Sequence, residues 1–174
     1  MRTAQQLLTQ YAAYHRDRRN IATHFVGVPM IVFGVGALLA PVHLVVNDVT
    51  ITLAWLAFGV AALWYLSRGL VLGLATSAVV GVLILLAHGA TEGSVASWLV
   101  WGLGFFGVGW LVQFVGHYYE GRKPAFVDDL VGLLVGPMFV VAEWLFMLGW
   151  NKPLQAAIEA EVGPTMIRDL AHPA

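Results

Sequence analysis

The sequence predicts an all-α fold, a polytopic membrane helical bundle of about five transmembrane helices preceded by an amphipathic helix. Three observations predict it. The chain of 174 residues is 59% hydrophobic and 11% charged, with mean hydropathy +0.78, whereas a soluble domain carries about 25% charged residues. Five apolar blocks run from Phe25 to Val46, Val49 to Leu66, Leu70 to Ala87, Val95 to Val115 and Leu130 to Trp150, each long enough to cross a hydrocarbon core of about 30 Å as a helix. Of the charged residues, only Glu143 falls inside a block.

The elements follow in order. Residues 1–24 form an amphipathic interfacial segment, with Ala4, Leu7, Leu8, Tyr11, Tyr14 and His15 on one helical face suited to the headgroup region. Residues 25–150 form the transmembrane bundle and 151–174 a polar tail, all within a single integral membrane domain. The blocks lack period-2 alternation and so read as helices rather than strands. Ser67, Arg68 and Gly69 separate the second and third blocks, a tight hairpin. Gly102, Gly104, Gly107 and Gly109 let the fourth helix approach a neighbour closely. An odd span count places Arg2, Arg16, Arg18, Arg19, Arg68, Arg122 and Lys123 on one side of the membrane. Lys152 and Arg168, with the C-terminus, fall on the other. The excess of positive charge makes the first side cytoplasmic.

Composition also excludes chemistry. The net charge of −1 leaves no basic field for phosphates, so no nucleic-acid partner is expected. The absence of Cys removes disulfides, thiolate metal sites and a thiol nucleophile. Six His and ten Asp or Glu remain as hard or borderline ligands.

Two clusters use them. In an unbroken helix His15 and His24 would lie on opposite faces, since nine steps of about 100° make half a revolution. A break at Asp17 to Asn20 would let the two imidazoles meet, with Asn20 capping the following helix. Both could equally be interfacial histidines bonded to headgroups or water. Gln113, His117 and Glu120 stand at i, i+4 and i+7, one stripe of one helix that Pro124 ends. Glu120 could pair with Arg122 or Lys123, or join His117 on a divalent ion. If the two clusters share a membrane face, three imidazoles and a carboxylate converge at one depth, a metal-site constellation. Glu143, inside the fifth block, must face the bundle interior, be protonated or find a partner. Asp128 and Asp129 read as caps of the fifth helix, His43 and His88 as interfacial, and His172 as part of the tail.

The stretches Tyr14 to Pro29 (YHRDRRNIATHFVGVP), Trp110 to Leu130 (WLVQFVGHYYEGRKPAFVDDL) and Glu143 to Gly149 (EWLFMLG) resemble the membrane-embedded 2-hydroxy fatty acid dioxygenase family. That family acts in fatty acid alpha-oxidation during phytosphingosine breakdown. The carrying patterns are His15, Asn20 and His24, then Gly116, His117, Glu120, Pro124 and Ala125. The resemblance implies an Fe(II)-dependent enzyme that shortens 2-hydroxy fatty acids by one carbon with O2. It assigns His15, His24 and His117 as ligands, with Glu120 a fourth ligand or a catalytic base behind them. Asn20, Gln113 and Glu143 would support the ligands, and Arg122 or Lys123 would hold the substrate carboxylate. Membrane lipids would surround the enzyme, in a bacterial inner membrane or in the endoplasmic reticulum of a eukaryotic host, with the site on the cytoplasmic side. No protein partner is indicated. The rival classes are a non-enzymatic membrane module (a channel, transporter subunit or scaffold) and a zinc hydrolase of lipids. Metal in the purified protein separates the first from the other two.

Overall fold

Thr3 opens the first helix with a reciprocal capping box: its hydroxyl accepts from Gln6 N, and the Gln6 side chain accepts from Thr3 N. A computed structural model describes residues 2–91, 93–124, 129 and 131–169, except the side chain of Val46. Asp128 and His172 lie outside these residues.

Seven helices and one hairpin are described: α1 Ala4–Ala12, α2 Arg18–Leu39, β1 His43–Val46, β2 Val49–Thr52, α3 Leu53–Leu66, α4 Leu70–Thr91, α5 Val95–Glu120, α6 Gly132–Met147 and α7 Lys152–Val162. The fold is all-α in its bulk. Among the described residues, α2, α4 and α5 are long and apolar enough to cross a membrane, and α6 with α7 would add a fourth span if counted together across a 117° bend. The expected five spans therefore reduce to three or four. The first two blocks give up their facing ends to the β1–β2 hairpin, which leaves α3 with 14 residues. Its cause is local: Val45, Val46, Val49 and Ile51 favour strand, and Asn47 and Asp48 take φ of 48° and 63°, the left-handed pair that a two-residue hairpin turn requires.

The chain forms two compact units, Met1–Val26 with Leu111–Ala174, and Gly27–Trp110. In the second unit, Phe33 packs on Trp101 and Phe105, and Phe33, Ala37 and Ala87 form a buried cluster. Gly109 lies so close to α2 that a Cβ there would meet Gly27 O at 2.9 Å. The expected close approach of the Gly-rich helix thus falls on Gly102 and Gly109, while Gly104 and Gly107 face open space.

In the first unit, α1 packs against α6 and α7. Leu7, Leu8, Tyr11 and Ala12 are buried, as are Met138, Phe139 and Ala142 of α6 and Ile158 of α7. The amphipathic face of α1 therefore covers protein, and the supposed polar tail supplies part of what it covers. Beyond α7, Met166 pairs with the backbone of Arg16 and Arg18. That contact corrects the expected topology: Arg168 and the Arg16–Arg19 stretch lie together, not on opposite sides of a membrane. The sharp turn between α6 and α7 is what an odd count of straight spans does not allow for.

Candidate metal centre

The centre is built from three short pieces of chain. α1 stops at Ala12 and α2 starts at Arg18, so the break falls on residues 13–17, earlier than the Asp17–Asn20 stretch expected. Asp17 is the residue that caps α2, its Oδ1 accepting from Arg19 N at 2.8 Å. Burial alone would raise the Asp17 carboxyl, but hydrogen bonds from the Arg19 side chain and from the backbone N–H groups of Arg168 and Arg19 bring it down to about 2. Asn20, expected as the cap, sits inside α2. It uses its amide Nδ2 on Tyr14 O at 3.1 Å and on Glu120 Oε2 at 3.1 Å.

This break turns His15 toward His24. His15 Nδ1 bonds Tyr11 O at 2.7 Å, and His24 Nδ1 bonds Asn20 O at 2.8 Å. A carbonyl can only accept, so each Nδ1 carries the proton and each Nε2 presents a lone pair. The two Nε2 atoms face each other at 2.9 Å. With both rings neutral, the two lone pairs point at one place, where a shared cation would satisfy them. His117 completes the group: its buried Nδ1 has no hydrogen-bond partner among the described residues. One ligand atom from each of His15, His24 and His117 lies within 4.8 Å of the others. The ring centroids are 4.3 Å, 5.0 Å and 5.2 Å apart.

All three imidazoles are buried. The Tyr11 ring stacks on His15 with centroids 4.1 Å apart, and the Phe139 ring stands at 5.4 Å. This enclosure removes water, and burial holds the His15 imidazole well below its usual pKa, with His24 lowering it further. His15 is therefore neutral, the form in which it binds a metal. The donor set fits a first-row divalent ion: three neutral imidazoles, two already oriented by backbone carbonyls, which is how metal-binding histidines are held.

Glu120 stands beside the group rather than within it. Its Oε2 accepts from Arg16 N at 2.9 Å, Asp17 N at 2.8 Å and Asn20 Nδ2. Its Oε1 accepts from Arg168 Nε at 3.0 Å and pairs with the second guanidinium nitrogen at 2.9 Å. Both oxygens are thus filled by donors, and the backbone N–H groups of Arg16 and Asp17, in the turn that leads into α2, are met by a side chain of α5. Gly116 makes the approach of those helices feasible, because a Cβ there would collide with Thr23 Oγ1 and meet Asn20 Oδ1 at 2.5 Å.

The remaining expected site residues scatter. Gln113 is buried on the His117 stripe, and neither of its amide atoms has a partner among the described residues. Glu143 lines a cavity of 330 Å³ together with Arg16, Ile21, Phe25, Phe146 and Glu159. Arg122 is exposed and donates to Ala13 O at 3.0 Å, and Lys123 is exposed as well. His43 bonds Pro41 O, and His88 bonds Ile84 O and Thr52. Sequence reasoning missed Tyr11 as a wall of the site, although it stands one turn before His15 on the same face. It also missed Arg16, Asp17 and Arg168, for which the sequence carries no pattern.

Helices long and apolar enough to cross a membrane and a buried three-histidine cluster define a class: all-α proteins with apolar, membrane-length helices and a candidate metal centre. The family described as 2-hydroxy-palmitic acid dioxygenase Mpo1-like matches residues 1–148. The chain is 34% identical over 155 residues to 2-hydroxy-palmitic acid dioxygenase MPO1 of Saccharomyces cerevisiae, covering 87% of this chain and 85% of the yeast one. The chain belongs to the Mpo1-like family. No solved structure matches it.

Proposed function

We propose that this protein is an Fe(II)-dependent membrane dioxygenase that shortens 2-hydroxy fatty acids by one carbon with O2. The observation that carries the reading is the 2.9 Å approach of His15 Nε2 and His24 Nε2, with His117 beside them, its Nδ1 without a partner among the described residues. Family membership supports the substrate class, because the yeast relative is a 2-hydroxy-palmitic acid dioxygenase by name.

His15, His24 and His117 hold the ion. Bound Fe(II) would supply redox chemistry and open coordination positions for O2 and for the hydroxyl and carboxylate of the substrate. Tyr11 and Phe139 keep water from that space. Glu120 acts through the turn it fastens and not as a ligand, because five donors already occupy its oxygens. The Gln113 amide offers an NH2 group and a carbonyl oxygen that have no partner among the described residues, suited to a bound polar molecule. Arg122, which also fastens the end of α1 through Ala13 O, and Lys123 are the cations that would meet a substrate carboxylate. The excess of Arg and Lys around residues 16–19 and 122–123 supports a centre on the cytoplasmic side, in a bacterial inner membrane or, in a eukaryotic host, the endoplasmic reticulum.

The test is turnover by purified protein. With Fe(II), O2 and a 2-hydroxy long-chain acid, the fatty acid one carbon shorter should accumulate, and the unsubstituted acid should be a poor substrate because it lacks the orienting hydroxyl. A chelator or anaerobic conditions should abolish the product. Zinc should not replace iron, having no redox chemistry. Product that forms without oxygen, or with zinc alone, overturns the dioxygenase reading.

A further inference from the structure

The segment from Gly163 to Arg168 lies beyond the residues that the family matches, yet it closes on the stretch between His15 and His24. Met166 N donates to Arg16 O at 2.9 Å and Arg18 N donates to Met166 O at 2.9 Å, a one-residue parallel bridge. Arg16 donates to Gly163 O at 3.0 Å, Arg19 to Arg168 O at 2.8 Å, and Arg168 N to Asp17 Oδ2 at 2.7 Å. Apolar burial does not hold this strap, because Met166 is 46% and Ile167 66% exposed. Polar bonds to the His15–His24 turn and to Glu120 do.

The Arg168 guanidinium meets Glu120 on Oε1 alone. Oε2 is thereby left to the three donors of the turn, Arg16 N, Asp17 N and Asn20 Nδ2. Asn20 is also the residue whose carbonyl orients the His24 ring. A chain of direct contacts therefore runs from Arg168 through Glu120 and Asn20 to a candidate ligand. We propose that Arg168 is a positioning residue for the metal centre, aligning the Glu120 carboxylate so that the turn presents His15 and His24 to a common ion. This inference rests on the proposed metal site and extends it to a part of the chain outside the family match.

The experiment is titration of the full, chelator-stripped protein in detergent with Co(II), read by its visible absorption, alongside far-UV circular dichroism. Arg168→Ala should weaken Co(II) binding about tenfold, the low end of what loss of an outer partner costs, and should shift the absorption band. Arg168→Lys, which keeps the charge and one donor, should fall between wild type and Arg168→Ala. Lys152→Ala, a charge at the start of α7, should bind like wild type. Equal affinity and equal spectra in wild type, Arg168→Ala and Arg168→Lys overturn the inference while leaving the proposed function standing. If Arg168→Ala loses helix, Arg168→Lys decides, and wild-type affinity there overturns the inference. A wild-type protein that takes up no Co(II) and no Fe(II) overturns both.

Discussion

Replacing Glu120 with Gln separates a clamp from a ligand. The side chain keeps its shape, but one of its two acceptor oxygens becomes a donor. In the native protein Oε2 meets three donors and Oε1 meets the Arg168 guanidinium. An amide turned with its oxygen toward the turn sets its NH2 against Arg168. Turned the other way, it sets NH2 against two backbone N–H groups and Asn20. Either way at least two donors lose their acceptor. A buried donor left unpaired costs about 1–3 kcal/mol, and the partly exposed Arg168 can rehydrate, so Glu120→Gln should destabilise the fold by roughly 2–4 kcal/mol. The loss should appear in metal-free protein, measured by equilibrium unfolding in mixed micelles with a chelator present. Were Glu120 a ligand with no clamping role, the metal-free variant would match wild type within about 0.5 kcal/mol, and only the metal-bound form would lose stability. That result would refute the argument.

Other substitutions probe the remaining parts. His15→Ala, His24→Ala and His117→Ala should each lose most of the bound iron, while His43→Ala should keep it, as read by elemental analysis of purified protein; equal loss in all four would indicate unfolding instead. Gly116→Ala forces a methyl group against Asn20 and Thr23, which should cost about 1–3 kcal/mol and lower metal content without removing any ligand, as checked by unfolding and metal analysis together. Leu8→Ala, at a fully buried position of the helix packed on α6 and α7, should cost about 2–5 kcal/mol, whereas an α1 lying in headgroups would lose far less in the same unfolding assay.

Much of this molecule is legible in its sequence because a membrane imposes simple constraints. An apolar run must satisfy its own backbone, so α2, α4 and α5 follow from hydropathy and length. The stripe of Gln113, His117 and Glu120 follows from helical spacing, and the need for a break between His15 and His24 follows from their separation of nine residues. Hydropathy is blind to a strand made of the same residues as a span. Hydropathy makes Val42 to Thr52 the meeting of two spans, although the Asn47-Asp48 pair between β-branched residues carries the hairpin signal. The surplus span in the expected count arises there and at the bend between α6 and α7.

The role of Glu120 was out of reach for a different reason. A carboxylate three residues after a histidine suits metal binding, and nothing in the local sequence says that its oxygens are taken. Two of its five donors are backbone N–H groups of a turn about one hundred residues away, and backbone groups leave no mark on residue identity. The other decisive partner, Arg168, lies in a stretch whose charge and polarity suggest only a solvated tail. A sequence pattern can nominate the residues that touch an ion, because ligation demands particular side chains. The residues that hold a turn in shape obey a weaker demand, a donor or acceptor of any kind at the right point in space, and so emerge only from the fold.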